Sequence, residues 1–288
     1  MSPLVYRRSH LPTDEEWALT TALPDSPGRL LARGLDGPVE AAPHLWGFGG
    51  LHGGLTLALL TSAMRRSVPA DAELRTVTAR FHRSLTGRFD VEAAVLRPGT
   101  VTTLTARAVQ ADSGPGPEAD ATATFAPRRP ARTAPVSPAP PVAPPPQDCE
   151  LFTIPPEFVP ISTFMEIRPV GPNRPYSGCA EPELTAWIRF TEDDLPPDTD
   201  RFLTLIDALA PSYAAVLTDL RLVPTLELTV RPTPGLAHAS SPWILLRART
   251  HRADAGGWVD EHIDAWDGAG THLGSAYQLR LVRPSADN

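Results

Sequence analysis

The 288-residue chain contains no lysine, so all 26 of its lysine-plus-arginine residues are arginine. Without lysine it can form neither a phosphate-binding GxxxxGK loop nor a lysine Schiff base, which excludes two reaction classes. The net charge is −7, and no basic stretch is interleaved with aromatic residues. Because a negative chain repels phosphate backbones, we expect no nucleic-acid partner.

Cysteine is nearly as scarce as lysine, with only Cys149 and Cys179 present. Neither lies in a CxxC or Cys/His spacing, so we expect free thiols, no metal site and a reducing, cytoplasmic compartment. The N-terminus lacks the apolar core of an export signal, and the most apolar run, residues 53–63, is too short to cross a bilayer. The sequence therefore predicts a cytoplasmic protein without a membrane span.

Proline is abundant, at 34 residues, and it is densest between residues 127 and 160. This composition sustains neither a helix nor an inner strand, and it favours a stiff, extended connection over the surface. We therefore predict three parts: an N-terminal unit at 1–126, a proline-rich linker at 127–160, and a C-terminal unit at 161–288.

The two units show the same order of predicted elements. In the first, a short strand (29–35) and a mostly apolar helix (50–66) precede four strands at 74–84, 89–97, 101–111 and 118–125. In the second, a strand (183–190) and a helix (200–217) precede four strands at 222–231, 243–251, 258–266 and 272–283. The repeated order predicts a tandem α+β fold, with two long central helices each wrapped by an antiparallel sheet and the sheets paired side by side.

Asp207 lies in the apolar stripe of the second predicted helix, on the face shared by Leu203, Ala210 and Ala214. Burying an unpaired carboxylate is strongly unfavourable, so Asp207 needs either partners or a chemical task. Pro211 removes the hydrogen bond that would run back to the carbonyl of residue 207, which predicts a kink beside the carboxylate.

Other candidate residues carry weaker signals. Thr225, at the start of a strand, and Gln278, in the last strand, are each ordinary strand residues when considered alone. The glycine-rich helix start, Gly-Leu-His-Gly-Gly at 50–54, offers backbone N–H groups at a positive dipole end, although glycines also allow close packing. His52, beside this helix start, is more often a structural residue than a base.

Several motifs together resemble the double-hotdog acyl-CoA thioesterases of the type II (TesB-like) family. They are Phe-Gly-Gly-Leu-His-Gly-Gly (48–54), Val-Leu-Arg-Pro-Gly-Thr-Val-Thr-Thr-Leu-Thr-Ala-Arg (95–107), the helix with its aspartate, Pro-Thr-Leu-Glu-Leu-Thr-Val-Arg-Pro (224–232), and Gly-Ser-Ala-Tyr-Gln-Leu-Arg-Leu-Val-Arg (274–283). The resemblance implies a tandem hotdog fold and hydrolysis of acyl-CoA or acyl-carrier-protein thioesters without a cofactor. It also implies a catalytic trio of Asp207, Thr225 and Gln278, which hold one water.

For the substrate carbonyl oxygen we expect contacts with Gly50, His52, Gly53 and Gly54, and for the acyl chain a place between the two central helices. Two alternatives remain: a hydratase or dehydratase using His52, and a non-hydrolytic acyl-binding accessory protein. The first-half helix carries no acid, which predicts a single, asymmetric site. We expect a homodimer, whereas nothing in the sequence selects among the arginines that could contact the carrier.

Overall fold

The computed structural model of the protein describes residues 25–35, 37–111, 113–130 and 133–284. The helices are α1 (Pro27–Arg33), α2 (Gly53–Arg65) and α3 (Thr199–Leu205), and short 3₁₀ turns include Ser212–Val216. The strands are β1 (Val39–Glu40), β2 (Ala72–Phe81), β3 (Arg88–Arg97), β4 (Thr102–Gln110), β5 (Ala119–Pro127), β6 (Met165–Pro169), β7 (Glu183–Phe190), β8 (Thr225–Pro232), β9 (Ile244–Ala253), β10 (Trp258–Trp266) and β11 (His272–Leu281).

Within these described residues the strands form one antiparallel sheet in the order β1-β3-β4-β5-β2-β8-β11-β10-β9-β7-β6. Strands β2 and β8 join the two halves, and the hydroxyls of Thr78 and Thr229 lie 2.8 Å apart across that junction. The predicted α+β double hotdog, in which the sheets of the two halves join into one, is confirmed. The boundaries at 126 and 161 remain a prediction.

Helix α2 forms the centre of the hydrophobic core, where it packs against β3, β4, β5 and helix α3. Ten of its thirteen residues are buried, including Leu55 and Leu57 at 0% exposure. A helix that is apolar on nearly all sides requires cover on all sides, and here the sheet and the second helix supply it. The contact between α2 and α3 involves Gly54, and it brings the start of α2 to the end of α3.

The short strand predicted at 29–35 is wrong, because residues 29–33 belong to helix α1 and residues 34–35 follow its end. Ser26 caps this helix by accepting a hydrogen bond from the Arg29 N–H, and Pro27 occupies its first turn. These capping features outweigh the apolar alternation that suggested a strand. The second half also contributes, since Glu192 accepts a hydrogen bond from the Gly28 N–H at 2.8 Å.

The second central helix is shorter than the predicted 200–217. It ends at Leu205, residues 206–207 form a turn, and Pro211 is extended, with φ −52° and ψ 131°. Proline cannot donate the hydrogen bond to the carbonyl of residue 207, and its ring collides with that carbonyl in a helix. The proline therefore ends the helix, where the sequence predicted only a kink.

Residues 138–149 of the proline-rich segment lie over the C-terminal half of the sheet, on the face opposite the helices, whereas Phe152 and Ile154 pack against the main core. Trp187 and Trp266 donate indole N–H hydrogen bonds to the carbonyls of Pro144 and Pro138, at 2.8 and 3.0 Å. Cys149 packs with Trp187 and Leu245 in a small separate cluster. A buried indole N–H needs an acceptor, and proline carbonyls are not occupied by secondary structure, so each satisfies the other.

Candidate active site

Asp207 lies in the turn directly after α3, with its side chain only 8% exposed. It faces the start of α2, because a Cβ placed on Gly53 would lie 2.7 Å from its Oδ2 atom. The carboxylate of the second half is therefore next to the positive end of the first-half helix, an arrangement that stabilises negative charge. This contact stabilises the buried Asp207 carboxylate.

Asp207, Gln278 and Thr225 form one hydrogen-bonded chain. The Gln278 amide donates from Nε2 to Asp207 Oδ1 at 2.7 Å. The Thr225 hydroxyl donates to Gln278 Oε1 at 3.4 Å, a long hydrogen bond that leaves the Thr225 oxygen free to accept another. The structure thus brings together all three predicted catalytic residues, although they lie on a turn and two strands.

A β-bulge at Leu226 gives Thr225 its orientation. Gln278 is paired with Leu228 and Leu279 with Glu227, but Arg280 is paired with Thr225, so the register shifts by one residue. Strict alternation would place Thr225 on the outer face with Glu227. The extra residue turns Thr225 to the helix side, where Gln278 lies.

The glycines at the start of α2 are required for close approach. A Cβ on Gly54 would lie 2.6 Å from the Thr204 carbonyl oxygen and 2.9 Å from the Asp207 Cβ. In the described part of the chain the N–H groups of Gly53 and Gly54 donate to no protein acceptor, so they remain able to bind an oxyanion. Gly50 lies apart from this group, because its nearest neighbours are Ser84 and Leu85.

His52 is the N-cap of α2, and its Nδ1 accepts a hydrogen bond from the Leu55 N–H at 3.4 Å. Burial lowers the pKa of His52, the nearby Asp207 opposes that effect, and Arg280 adds to it. A neutral imidazole that accepts at Nδ1 carries its proton on Nε2. This Nε2 lies 4.0 Å from Asp207 Oδ2, too far for a direct hydrogen bond, so His52 is placed as a donor beside the carboxylate.

The first half contains an equivalent position without these groups. Strand β2 has a matching bulge at Arg75, which places Leu74 where β8 has Thr225. By the same register, Ala123 corresponds to Gln278. Thr61 follows the N-cap of α2 by nine residues, as Asp207 follows the N-cap of α3. The neighbouring cleft, of about 530 Å³, is lined by Thr61 and Leu74. On this alignment the acid and the amide are present only in the second half.

Sequence reasoning missed a buried ion pair behind the trio. Arg280 Nε lies 2.7 Å from Glu261 Oε2, with side chains 6% and 0% exposed. These two atoms are an ion pair without hydrogen-bond alignment. Burial raises the pKa of Glu261, an effect that Arg280 opposes and that the charge of Asp207 increases. The alternation of side chains along β10 and β11 is the sequence signal for this pair. It places both residues on the helix side of the sheet, where charged side chains are rare.

Within the described part of the chain, no group of three or more His, Cys, Asp or Glu side chains is arranged to hold a metal ion. No helix of that part is long and apolar enough to cross a membrane.

Two family models match the chain. Residues 42–126 match the acyl-CoA thioesterase N-terminal domain, and residues 135–282 match the acyl-CoA thioesterase C-terminal domain. The two matches follow each other along the chain, and the second begins inside the proline-rich segment. No curated protein matches the sequence.

Solved structures with a similar fold include a conserved hot dog fold protein of unknown function from Alicyclobacillus acidocaldarius. It has a TM-score of 0.76 and 21% identity, covering 86% of this chain and 92% of that one. The acyl-CoA thioesterase II TesB2 from Mycobacterium marinum has a TM-score of 0.62 and 22% identity, covering 81% and 90%. A tesB protein from Mycobacterium avium subs paratuberculosis has a TM-score of 0.66 and 18% identity, covering 90% and 100%. These likenesses show the same fold.

Proposed function

The chain belongs to the acyl-CoA thioesterase family of thioester hydrolases, and from that premise we propose that Asp207, Thr225 and Gln278 hold the attacking water. The observation that carries this proposal is the hydrogen-bonded chain from Thr225 through Gln278 to Asp207, which ends beside the glycines of α2. It joins a carboxylate, two neutral polar groups and a helix start at one place.

In the proposed mechanism the water donates one hydrogen bond to Asp207 and the other to the Thr225 oxygen. One of its lone pairs is then directed at the thioester carbonyl carbon, and Asp207 takes the proton on its side as the new C–O bond forms. Gln278 does not contact the reacting carbon. Its hydrogen bonds to Asp207 and Thr225 fix both acceptors of the water in place.

The carbonyl oxygen becomes an oxyanion in the tetrahedral intermediate. The free N–H groups of Gly53 and Gly54 and the Nε2–H of His52 are the donors that face this region. When the C–S bond breaks, the departing thiolate receives the proton from Asp207, which yields the free acid and the thiol and restores the carboxylate. The role of Gly50 is indirect: it packs against Ser84 and Leu85 and shapes the loop before α2.

The proposed substrate is an acyl-CoA. The sequence predicts an acyl chain between the two central helices, but α2 and α3 are in close contact at Gly54, which supports a path beside that contact. A small apolar cleft of about 30 Å³ opens beside Leu209 and Ala210, two and three residues after Asp207, and Ile167 and Ala186 line its other side. At this size the cleft has room for one or two water-sized groups and none for a long acyl chain.

The test is thiol release from acyl-CoAs of increasing chain length, with acyl-carrier-protein thioesters of the same acyl groups in parallel. We expect Asp207→Asn to lower kcat by about 10²- to 10⁴-fold, because the asparagine amide keeps the shape but takes no proton. Asp219→Asn, at a side chain that is 74% exposed, is the matched control. Equal rates from Asp207→Asn and the wild type would contradict the mechanism. Faster release from the carrier protein would contradict the choice of acyl-CoA.

The predicted homodimer remains a prediction, which sedimentation of the purified chain would test.

A further inference from the structure

The buried ion pair of Glu261 and Arg280 lies directly beside the proposed trio. Glu261 is paired with Gln278 across β10 and β11, and Arg280 is paired with Thr225 across β11 and β8. Both charged side chains therefore share the helix-side face with the catalytic amide and hydroxyl. Neither has a part in the water-activating mechanism described above.

The pair contacts both segments that present the catalytic side chains. Glu261 Oε1 accepts a hydrogen bond from the Ser212 N–H at 3.3 Å, which attaches the segment following Asp207 to the sheet. Arg280 Nη1 donates to the Val223 carbonyl oxygen at 3.4 Å, two residues before Thr225. Both segments are irregular, because Pro211 interrupts one and the other leads into the β-bulge, so neither is held by regular hydrogen bonding alone.

The titratable groups around Asp207 come from three elements. His52 lies at the start of α2, Glu261 on β10 and Arg280 on β11, and Tyr176 is near enough to Arg280 to feel its charge. Burial keeps His52 neutral near pH 7, so Glu261 and Arg280 are the charged neighbours. A gain in folding stability does not explain why the chain has this buried ion pair, because replacing buried ion pairs by apolar residues is often neutral or stabilising.

On the basis of the proposed function, we propose that Glu261 and Arg280 are positioning residues of this thioesterase. They fix the segments carrying Asp207 and Thr225, and as a mutually neutral pair they set the local charge in which the Asp207 carboxylate works. Removing one member should therefore change the pH dependence of turnover, and removing both should restore the charge balance but not the positioning.

The experiment compares Glu261→Gln, Arg280→Met and the double variant, measuring kcat/KM for an acyl-CoA against pH. Glu261→Gln removes a negative charge beside the site and leaves the positive charge of Arg280, so the acid limb of its profile moves to lower pH. Loss of the positive neighbour moves the acid limb of Arg280→Met to higher pH. We expect shifts of about 0.5 unit or more in these opposite directions.

The double variant should keep its acid limb within about 0.3 unit of the wild type, with kcat at neutral pH about tenfold lower because the segments are loosened. The control is Asp260→Asn, next to Glu261 but in an exposed ion pair with Arg252, and it should leave the profile unchanged.

Folded single variants that shift in the same direction, or do not shift, would overturn the electrostatic role. A double variant with wild-type kcat would overturn the positioning role, and this variant decides the matter if the single variants do not fold. The proposed function fails separately, since it fails only if Asp207→Asn remains active, whatever the ion pair does.

Discussion

The substitution Gly54→Ala tests the contact that joins the two halves at the proposed active site. The added Cβ would lie 2.6 Å from the Thr204 carbonyl oxygen, 2.8 Å from that of Leu203 and 2.9 Å from the Asp207 Cβ. Nonbonded contacts of a real Cβ below 3.0 Å are essentially never seen. Two of these neighbours are backbone atoms, so no side-chain rotation relieves the contact.

The expected magnitude follows from two opposing effects. Adding atoms to a well-packed contact lowers the free energy of unfolding by about 1–3 kcal/mol. The loss here lies at the upper end of that range, because backbone atoms cannot rotate away from the new Cβ. Replacing glycine by alanine inside a helix stabilises the helix by about 1 kcal/mol, because alanine has the higher helix propensity. We therefore expect Gly54→Ala to lower the free energy of unfolding by about 2 kcal/mol. Since α3 must move away, Asp207 moves with it, and a displacement near 1 Å lowers kcat by about 100-fold.

The assay combines urea unfolding with steady-state thiol release. Gly53→Ala gives a matched comparison, because its Cβ meets the Asp207 Oδ2 atom and no backbone atom nearby. It should therefore lower activity with little loss of stability. Gly268→Ala, where nothing lies within 4 Å of the new Cβ, should change neither quantity. The reasoning is refuted if Gly54→Ala unfolds at the wild-type urea concentration and retains the wild-type kcat.

Two further predictions concern stability. Burial raises the pKa of Asp200 from 3.8 to about 7, so its proton is held more tightly in the folded chain and folding is penalised as pH rises through this window. The full shift corresponds to about 4 kcal/mol, and partial solvent contact reduces it. Asp200→Asn should therefore stabilise the protein by about 1–2 kcal/mol at pH 8 and by little at pH 4 in urea titrations. The exposed control Asp219→Asn should show no such trend, and an equal gain at both pH values would contradict the assignment. Trp266→Phe removes the hydrogen bond to the Pro138 carbonyl, which should cost about 1 kcal/mol and speed proteolysis within residues 133–149. Trp258→Phe, at a ring that is 40% exposed, is its control, and unchanged cleavage of Trp266→Phe would show that the indole does not anchor the linker.

Much of the fold could be predicted from local sequence patterns. Strands β7 and β10 begin and end at the residues predicted from alternation, and the other long strands differ from prediction by a few residues at their ends. Alternation succeeds because one face of each strand is buried, so burial itself produces the pattern. The edge strands β1 and β6 were missed because both are short and β6 ends at a proline.

The candidate site could be predicted only in part from the sequence. Asp207 was identified because a carboxylate among apolar residues is costly, and Thr225 and Gln278 followed from a family resemblance. Helical periodicity placed Asp207 inside a long helix, whereas the helix ends two residues before it, at Leu205. The ion pair of Glu261 and Arg280 was not predicted, because a single sequence does not show which charged strand residues face each other.

The sequence by itself determined the repeated element order, the disturbance of the second helix region by Pro211, and the need to compensate a carboxylate at position 207. Only the tertiary structure decided how that compensation is made. The N-terminus of a helix from the other half approaches Asp207 through Gly53 and Gly54, and a β-bulge turns Thr225 toward Gln278. Periodicity reports the face on which a residue lies within its own element, and these contacts depend on register and packing between elements distant in the chain.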